Sequence, residues 1–148
     1  KRQEREYLQQ SISQNLGVKV ELNTVGDYQM FANERDNKNY DIFVGGWFSD
    51  YNDPLDFLNV MKTGVYDSYG LYSNSEYDSL IDSLTGENDN AKRLEIYQKL
   101  EDLLVAQDCG VAPLYYSDKH YYYQNWVKDF YTSSFGASQE LYRASVQK

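Results

Sequence analysis

The stretch YDIFVGGWFSDYNDP, Tyr40 to Pro54, decides how the chain is read. Tyr40 to Val44 is a short, nearly continuous apolar run, the pattern of a strand covered on both faces. Gly45 and Gly46 break it, and Trp47, Phe48 and Tyr51 then stand among the acids Asp50 and Asp53. In an open α/β sheet, ligands bind just beyond the carboxyl ends of strands, which is where this group falls.

Working outward, Tyr7, Leu8, Ser11, Ile12 and Leu16 recur at helical spacing before Gly17, so an amphipathic helix opens the chain. Val18 to Asn23 alternates as a half-buried strand. Asn23 or Thr24 is placed to cap a second helix carrying Tyr28, Met30 and Phe31. The order α-β-α-β predicts a right-handed crossover in a parallel sheet. Asp53-Pro54 reads as a helix start, followed by Leu55, Leu58 and Met61 on a buried side. Residues 62–74 are rich in Gly, Ser and Tyr and read as loop. Ser75 to Asp78 has the form of an acidic capping box, leading a helix with Tyr77, Leu80, Ile81 and Leu84 inside. A longer helix is expected from Ala91 to Gln107, with Leu94, Tyr97, Leu100 and Leu104 buried. GVAPLYYS, Gly110 to Ser117, reads as a strand kept from a central position by Pro113, and His120 to Phe130 as a further extended segment. No internal repeat or long linker divides the 148 residues, which predicts one domain.

Composition narrows the function. The chain has 41% hydrophobic and 25% charged residues, as globular chains do, but 16 tyrosines, a residue whose flat face and polar tip suit organic ligands. A net charge of −9 argues against nucleic acid, so no nucleic-acid partner is expected. Cys109 is the single cysteine and His120 the single histidine, which excludes an internal disulfide and starves zinc sites and triads of side chains. Cys109 has no basic neighbour in sequence and is expected to be a buried, inert thiol. No apolar run reaches the roughly 20 residues of a membrane span. Lys1 to Arg5 leads straight into helical periodicity in place of an apolar leader, so the chain is expected to be cut from something longer.

Four readings of the acids compete. Asp53, directly before Pro54, is a cap. Asp50 is open between a cap and an anchor for an ammonium group, the latter worth roughly 1.5–3 kcal/mol if screened from water by aromatics. A glycosidase-like carboxylate pair lacks any group that would raise one pKa, and a calcium loop lacks its regular acids and distant Glu.

The segment YDIFVGGWFSDYNDPLDFLNVM resembles the G-W-x-x-D-Y-x-D/E-P stretch of extracytoplasmic oligopeptide- and dipeptide-binding proteins of ABC transporters, the family 5 type of solute-binding protein. NSEYDSLIDSL, RLEIYQKLEDLLVAQDCGVAPLYY and NWVKDF follow in the order of that family, so the likeness covers nearly the whole chain. It implies an α/β, periplasmic-binding-protein-like lobe with a mixed, partly parallel sheet flanked by helices, spanning 1–148 as the C-terminal lobe of a two-lobed parent. It implies peptide binding for uptake, with no catalysis and no cofactor or metal. The partners would be short peptides, a membrane permease and the N-terminal lobe of the same parent, outside the cytoplasm and lipid-anchored. In peptide-binding members the residue at Asp50 receives the ligand's α-amino group, and the segment at Gly46, Trp47 and Phe48 walls the pocket and pairs with the peptide backbone. Tyr28 stands where an aromatic lines a side-chain pocket, and Arg35 where a base meets the ligand carboxylate. Val44 replaces a second base found in some members, and Ser117 a tyrosine that faces the ligand. Nickel-chelate, heme and sugar binders share the fold and remain the alternative ligands, with a carboxylate-dependent hydrolase as the rival from another class.

Overall fold

A computed structural model describes residues 2–65, 71–136 and 141–147. The chain divides into two compact units, Lys1–Gly46 and Trp47–Lys148.

The first unit contains two helices. Helix α1, Arg2–Leu16, ends where Gly17 turns to φ +67 and its N–H returns to the Ser13 carbonyl at 3.1 Å. A left-handed residue with no Cβ at this point closes the helix without strain. Helix α2, Tyr28–Asp36, is capped by Asp27, whose carboxylate accepts the Met30 N–H at 2.8 Å, and not by Asn23 or Thr24. Asp27 has the extended backbone that a cap requires, and its side chain meets the third N–H of the helix. Ala32 is the only buried side chain described here; Val18, Leu22 and Ile42 stay exposed, while Phe43 meets Tyr40 edge-on at 5.3 Å.

The second unit holds the core. Helix α3, Leu55–Leu58, runs into a 3-10 turn, Asn59–Met61. Helix α4, Ser75–Ser83, is capped by Asn74, one residue before the expected capping box, through bonds from the Glu76 and Tyr77 N–H groups at 2.8 and 3.2 Å. Helix α5, Asn90–Glu101, continues as a π turn, Asp102–Gln107. Tyr77 and Leu100 are fully enclosed among Leu58, Val60, Met61, Ile81, Leu84, Tyr97, Leu103 and Leu104. Leu94, expected inside, is 56% exposed: it lies on the outer side of α5, and Leu103 joins the core instead. Tyr66 to Gly70 of the expected loop lie outside the described residues. Past α5, Cys109 takes φ +51 and Gly110 donates to the Leu104 carbonyl at 2.8 Å, closing the helix end. Cys109 is exposed, not buried, because that left-handed turn carries it out of the helix.

The expected mixed, partly parallel sheet is not formed among the described residues. Among the described residues the only sheet is a two-stranded antiparallel ladder, β1 (Val127–Lys128) with β2 (Ser145–Val146). Val18 to Leu22, Tyr40 to Val44 and Gly110 to Ser117 carry no ladder. A strand exists only where a neighbour takes up its N–H and C=O groups, and an apolar pattern fixes which face would be buried without supplying that neighbour.

Candidate functional site

The turn after Gly46 is built from its own sequence neighbours. Asp53 accepts the Leu55 N–H at 2.8 Å at the start of α3, although Pro54, one residue later than expected, holds the N-cap position itself. The same carboxylate accepts the Tyr97 hydroxyl at 2.5 Å and pairs with Arg93 at 2.8 Å, tying the turn to α5. Arg93 also donates to the Glu87 carbonyl at 3.1 Å. Burial alone would raise the Asp53 pKa, but the Tyr97 hydroxyl, the Leu55 N–H and Arg93 together hold it below the usual carboxylate value. Tyr97 is pushed up to about 12, first by burial and then by its bond to the Asp53 carboxylate.

Asp56 is a buried carboxylate, 6% exposed. Its Oδ2 accepts the Trp47 indole N–H at 3.2 Å and the Asp50 backbone N–H at 2.7 Å. Trp47 thereby packs against the core with its polar edge satisfied. From the other side the Gly136 N–H donates to the Ser49 carbonyl at 2.9 Å. Gly136 has φ +58, and a Cβ there would lie 3.3 Å from the Asp50 carbonyl oxygen, so glycine alone fits without strain.

The expected ligand residues fall as follows. Asp50 is exposed, and its carboxylate has no hydrogen bond or ion pair among the described residues. Phe48 is 64% exposed and carries the Lys119 ammonium 4.8 Å from its ring centre, a cation–π contact worth about 0.5–1 kcal/mol at such a site. A groove of about 310 Å³ is lined by Ser49, Asn52, Phe57, Glu101, Tyr116 and Phe135, which takes both neighbours of the Asp50–Tyr51 pair without Asp50 itself. In the first unit, Tyr28 lies exposed on α2 with Phe31 at 6.3 Å, and Arg35 pairs with Asp36 at 2.8 Å. The Tyr40 hydroxyl is buried without a hydrogen-bond partner among the described residues, and burial raises its pKa against the opposing charge of Arg35. Gly46 ends that unit with no described atom within 4 Å of where a Cβ would stand. Trp47, Phe48 and Asp50 are thus brought together at one turn.

Sequence reasoning missed Asp56, Arg93 and Gly136. An acid between Leu55 and Phe57 in the first turn of an otherwise apolar helix was the available signal for Asp56.

Known proteins share both the sequence and the shape. A family model described as bacterial extracellular solute-binding proteins, family 5 Middle, matches residues 1–68. The oligopeptide-binding protein OppA of Bacillus subtilis (strain 168) is 32% identical over 124 residues, 82% of this chain and 21% of that protein. The chain belongs to family 5 of these solute-binding proteins. The substrate-binding domain of an oligopeptide ABC transporter from Bacillus anthracis str. Ames superposes on this family 5 chain with a TM-score of 0.84. It is 29% identical and covers 97% of this chain, which spans 28% of the other. The pheromone receptor PrgZ, solved together with its mode of peptide binding, gives a TM-score of 0.78 at 28% identity, covering 97% of this chain and 27% of its own. The fold class is therefore periplasmic-binding-protein-like, although the sheet is reduced as described. The chain spans about a fifth of the length of the curated relatives it matches.

Proposed function

We propose that this chain forms part of a peptide-binding protein feeding an ABC importer, with the Asp50 carboxylate as anchor for the ligand's free α-ammonium group. The observation that carries this reading is the asymmetry of Asp50. Its backbone N–H is held at 2.7 Å by Asp56, whereas its own carboxylate is exposed and engages no described partner. A fixed carboxylate with open coordination is matched by a primary ammonium group, which brings three donors. On this reading a peptide main chain lies along the segment leading to Asp50 as an added strand. Oligopeptide-binding and peptide-binding names among the relatives support the same ligand class.

On this reading the chain is the C-terminal lobe of a two-lobed protein, anchored by lipid outside the cytoplasm. It captures its ligand by closure and catalyses nothing. The closing lobe removes water from the Asp50 pair and so strengthens it. The test is calorimetric titration of the full-length protein carrying this segment with trialanine, free and N-acetylated. Acetylation is expected to weaken binding at least tenfold, about 1.4 kcal/mol. Asp50→Asn should weaken the free peptide similarly and erase the difference. Equal affinities for the two peptides in the wild type would overturn the anchor and turn attention to ligands without an amine.

A further inference from the structure

The grip on the Ser49–Asp50 peptide group points to a second determinant of the ligand site. We propose that Asp56 is a positioning residue that makes Asp50 competent to bind an amine, acting through the place of one oxygen atom and not through its charge. The inference rests on the reading of Asp50 as the amine anchor and deepens it.

The peptide unit between Ser49 and Asp50 is held at both edges. Its carbonyl accepts the Gly136 N–H at 2.9 Å, and its N–H donates to Asp56 Oδ2 at 2.7 Å. A peptide group is planar and rigid, so bonds on opposite edges stop it from swinging about the axis joining its two Cα atoms. With that plane fixed, the Asp50 Cα and its N–Cα bond are fixed as well, which confines Cβ to the narrow arc that φ allows an L-residue, while the carboxylate stays exposed. Asp56 is itself immobilised: it is 6% exposed, lies within α3, and uses the same Oδ2 to hold the Trp47 indole at 3.2 Å. One buried atom thus sets both the aromatic wall and the anchor. Without it, the N–H edge is free and Asp50 samples orientations that a bound ammonium group must then select against, which lowers affinity for the amine in particular.

Because a single oxygen takes both bonds, the side chain's charge and its geometry separate experimentally. Asp56→Asn offers its carbonyl oxygen at the same place while removing the charge. Asp56→Glu keeps the charge but carries the oxygen roughly 1.5 Å further out, one C–C bond. Asp56→Ala removes the acceptor. The readout is the ratio of affinities for free and N-acetylated trialanine, measured calorimetrically in the full-length protein. A role confined to stability would lower both affinities alike and leave that ratio unchanged.

The expected result is a ratio within about threefold of wild type for Asp56→Asn, and a fall of at least tenfold for Asp56→Glu and Asp56→Ala. Thermal melts establish which variants are folded; should the alanine variant fail, the contrast between Asn and Glu carries the test. A wild-type ratio in Asp56→Ala or Asp56→Glu overturns the inference while leaving Asp50 as anchor. A ratio lost equally in Asp56→Asn overturns it too, since charge would then be the cause. A wild-type protein indifferent to acetylation overturns the anchor reading and this inference with it.

Discussion

Tyr97→Phe tests the tie between the site's turn and the helical core. The substitution removes one hydroxyl, which donates to Asp53 at 2.5 Å and receives Arg93 at 2.5 Å, and leaves the ring in place. A hydrogen bond to a charged group is worth about 1.5–3 kcal/mol, and the Asp53 side chain is 31% exposed, so the low end applies: about 1.5 kcal/mol. The loss should depend on pH. Asp53 has its folded pKa depressed below the ordinary value of about 3.9, in part by Tyr97. A depressed carboxylate contributes stability that is fully present above the unfolded pKa and is lost as pH falls through the folded one. The gap between wild type and Tyr97→Phe is therefore widest near neutrality and narrows below about pH 4. Tyr77→Phe is the control. Its hydroxyl donates to the neutral Leu58 carbonyl at 2.8 Å, so its cost, about 1 kcal/mol, is constant over the same range. Urea unfolding followed by circular dichroism at pH 7 and pH 3 measures both. A Tyr97→Phe gap of equal size at the two pH values, or none at pH 7, would refute the charged network as the tie.

Two other substitutions probe the packing behind that turn. At Gly110 an added Cβ would lie 2.7 Å from Tyr72 Cδ2, and that ring is held by a 2.7 Å bond to Asp108 and an edge contact with Tyr77. Gly110→Ala is expected to cost about 1–3 kcal/mol in thermal or urea unfolding, because the ring has nowhere to go; an unchanged midpoint would show that it does. Leu100→Ala empties a site with 0% exposure and should cost about 2–5 kcal/mol, read by the same unfolding curve, with less than 1 kcal/mol contradicting its place at the centre of the core.

The sequence by itself determined the helices and their punctuation. Spacing placed α1, α4 and α5, Gly17 ended α1, and Asp53-Pro54 marked the start of α3; each of these depends on residues within a turn or two of one another. It also placed Trp47, Phe48 and Asp50 at one turn, simply because they are adjacent. What it could not determine were relations between distant positions. The Asp53–Arg93 pair spans 40 residues, and the bond from Gly136 to Ser49 spans nearly the whole second unit. No periodicity records such partners. The sheet was misread for the same reason: Tyr40 to Val44 and Gly110 to Ser117 have strand-like composition, but a ladder is a property of two segments, and among the described residues neither has a second one paired with it. Tertiary structure also decided which acid does what. Asp50, Asp53 and Asp56 are chemically alike in sequence, and only their surroundings leave the first exposed, bind the second to Arg93 and Tyr97, and bury the third against a backbone N–H. A carboxylate's role follows from what desolvates it and what donates to it, and for Asp53 two of those donors, Arg93 and Tyr97, lie 40 and 44 residues away in sequence.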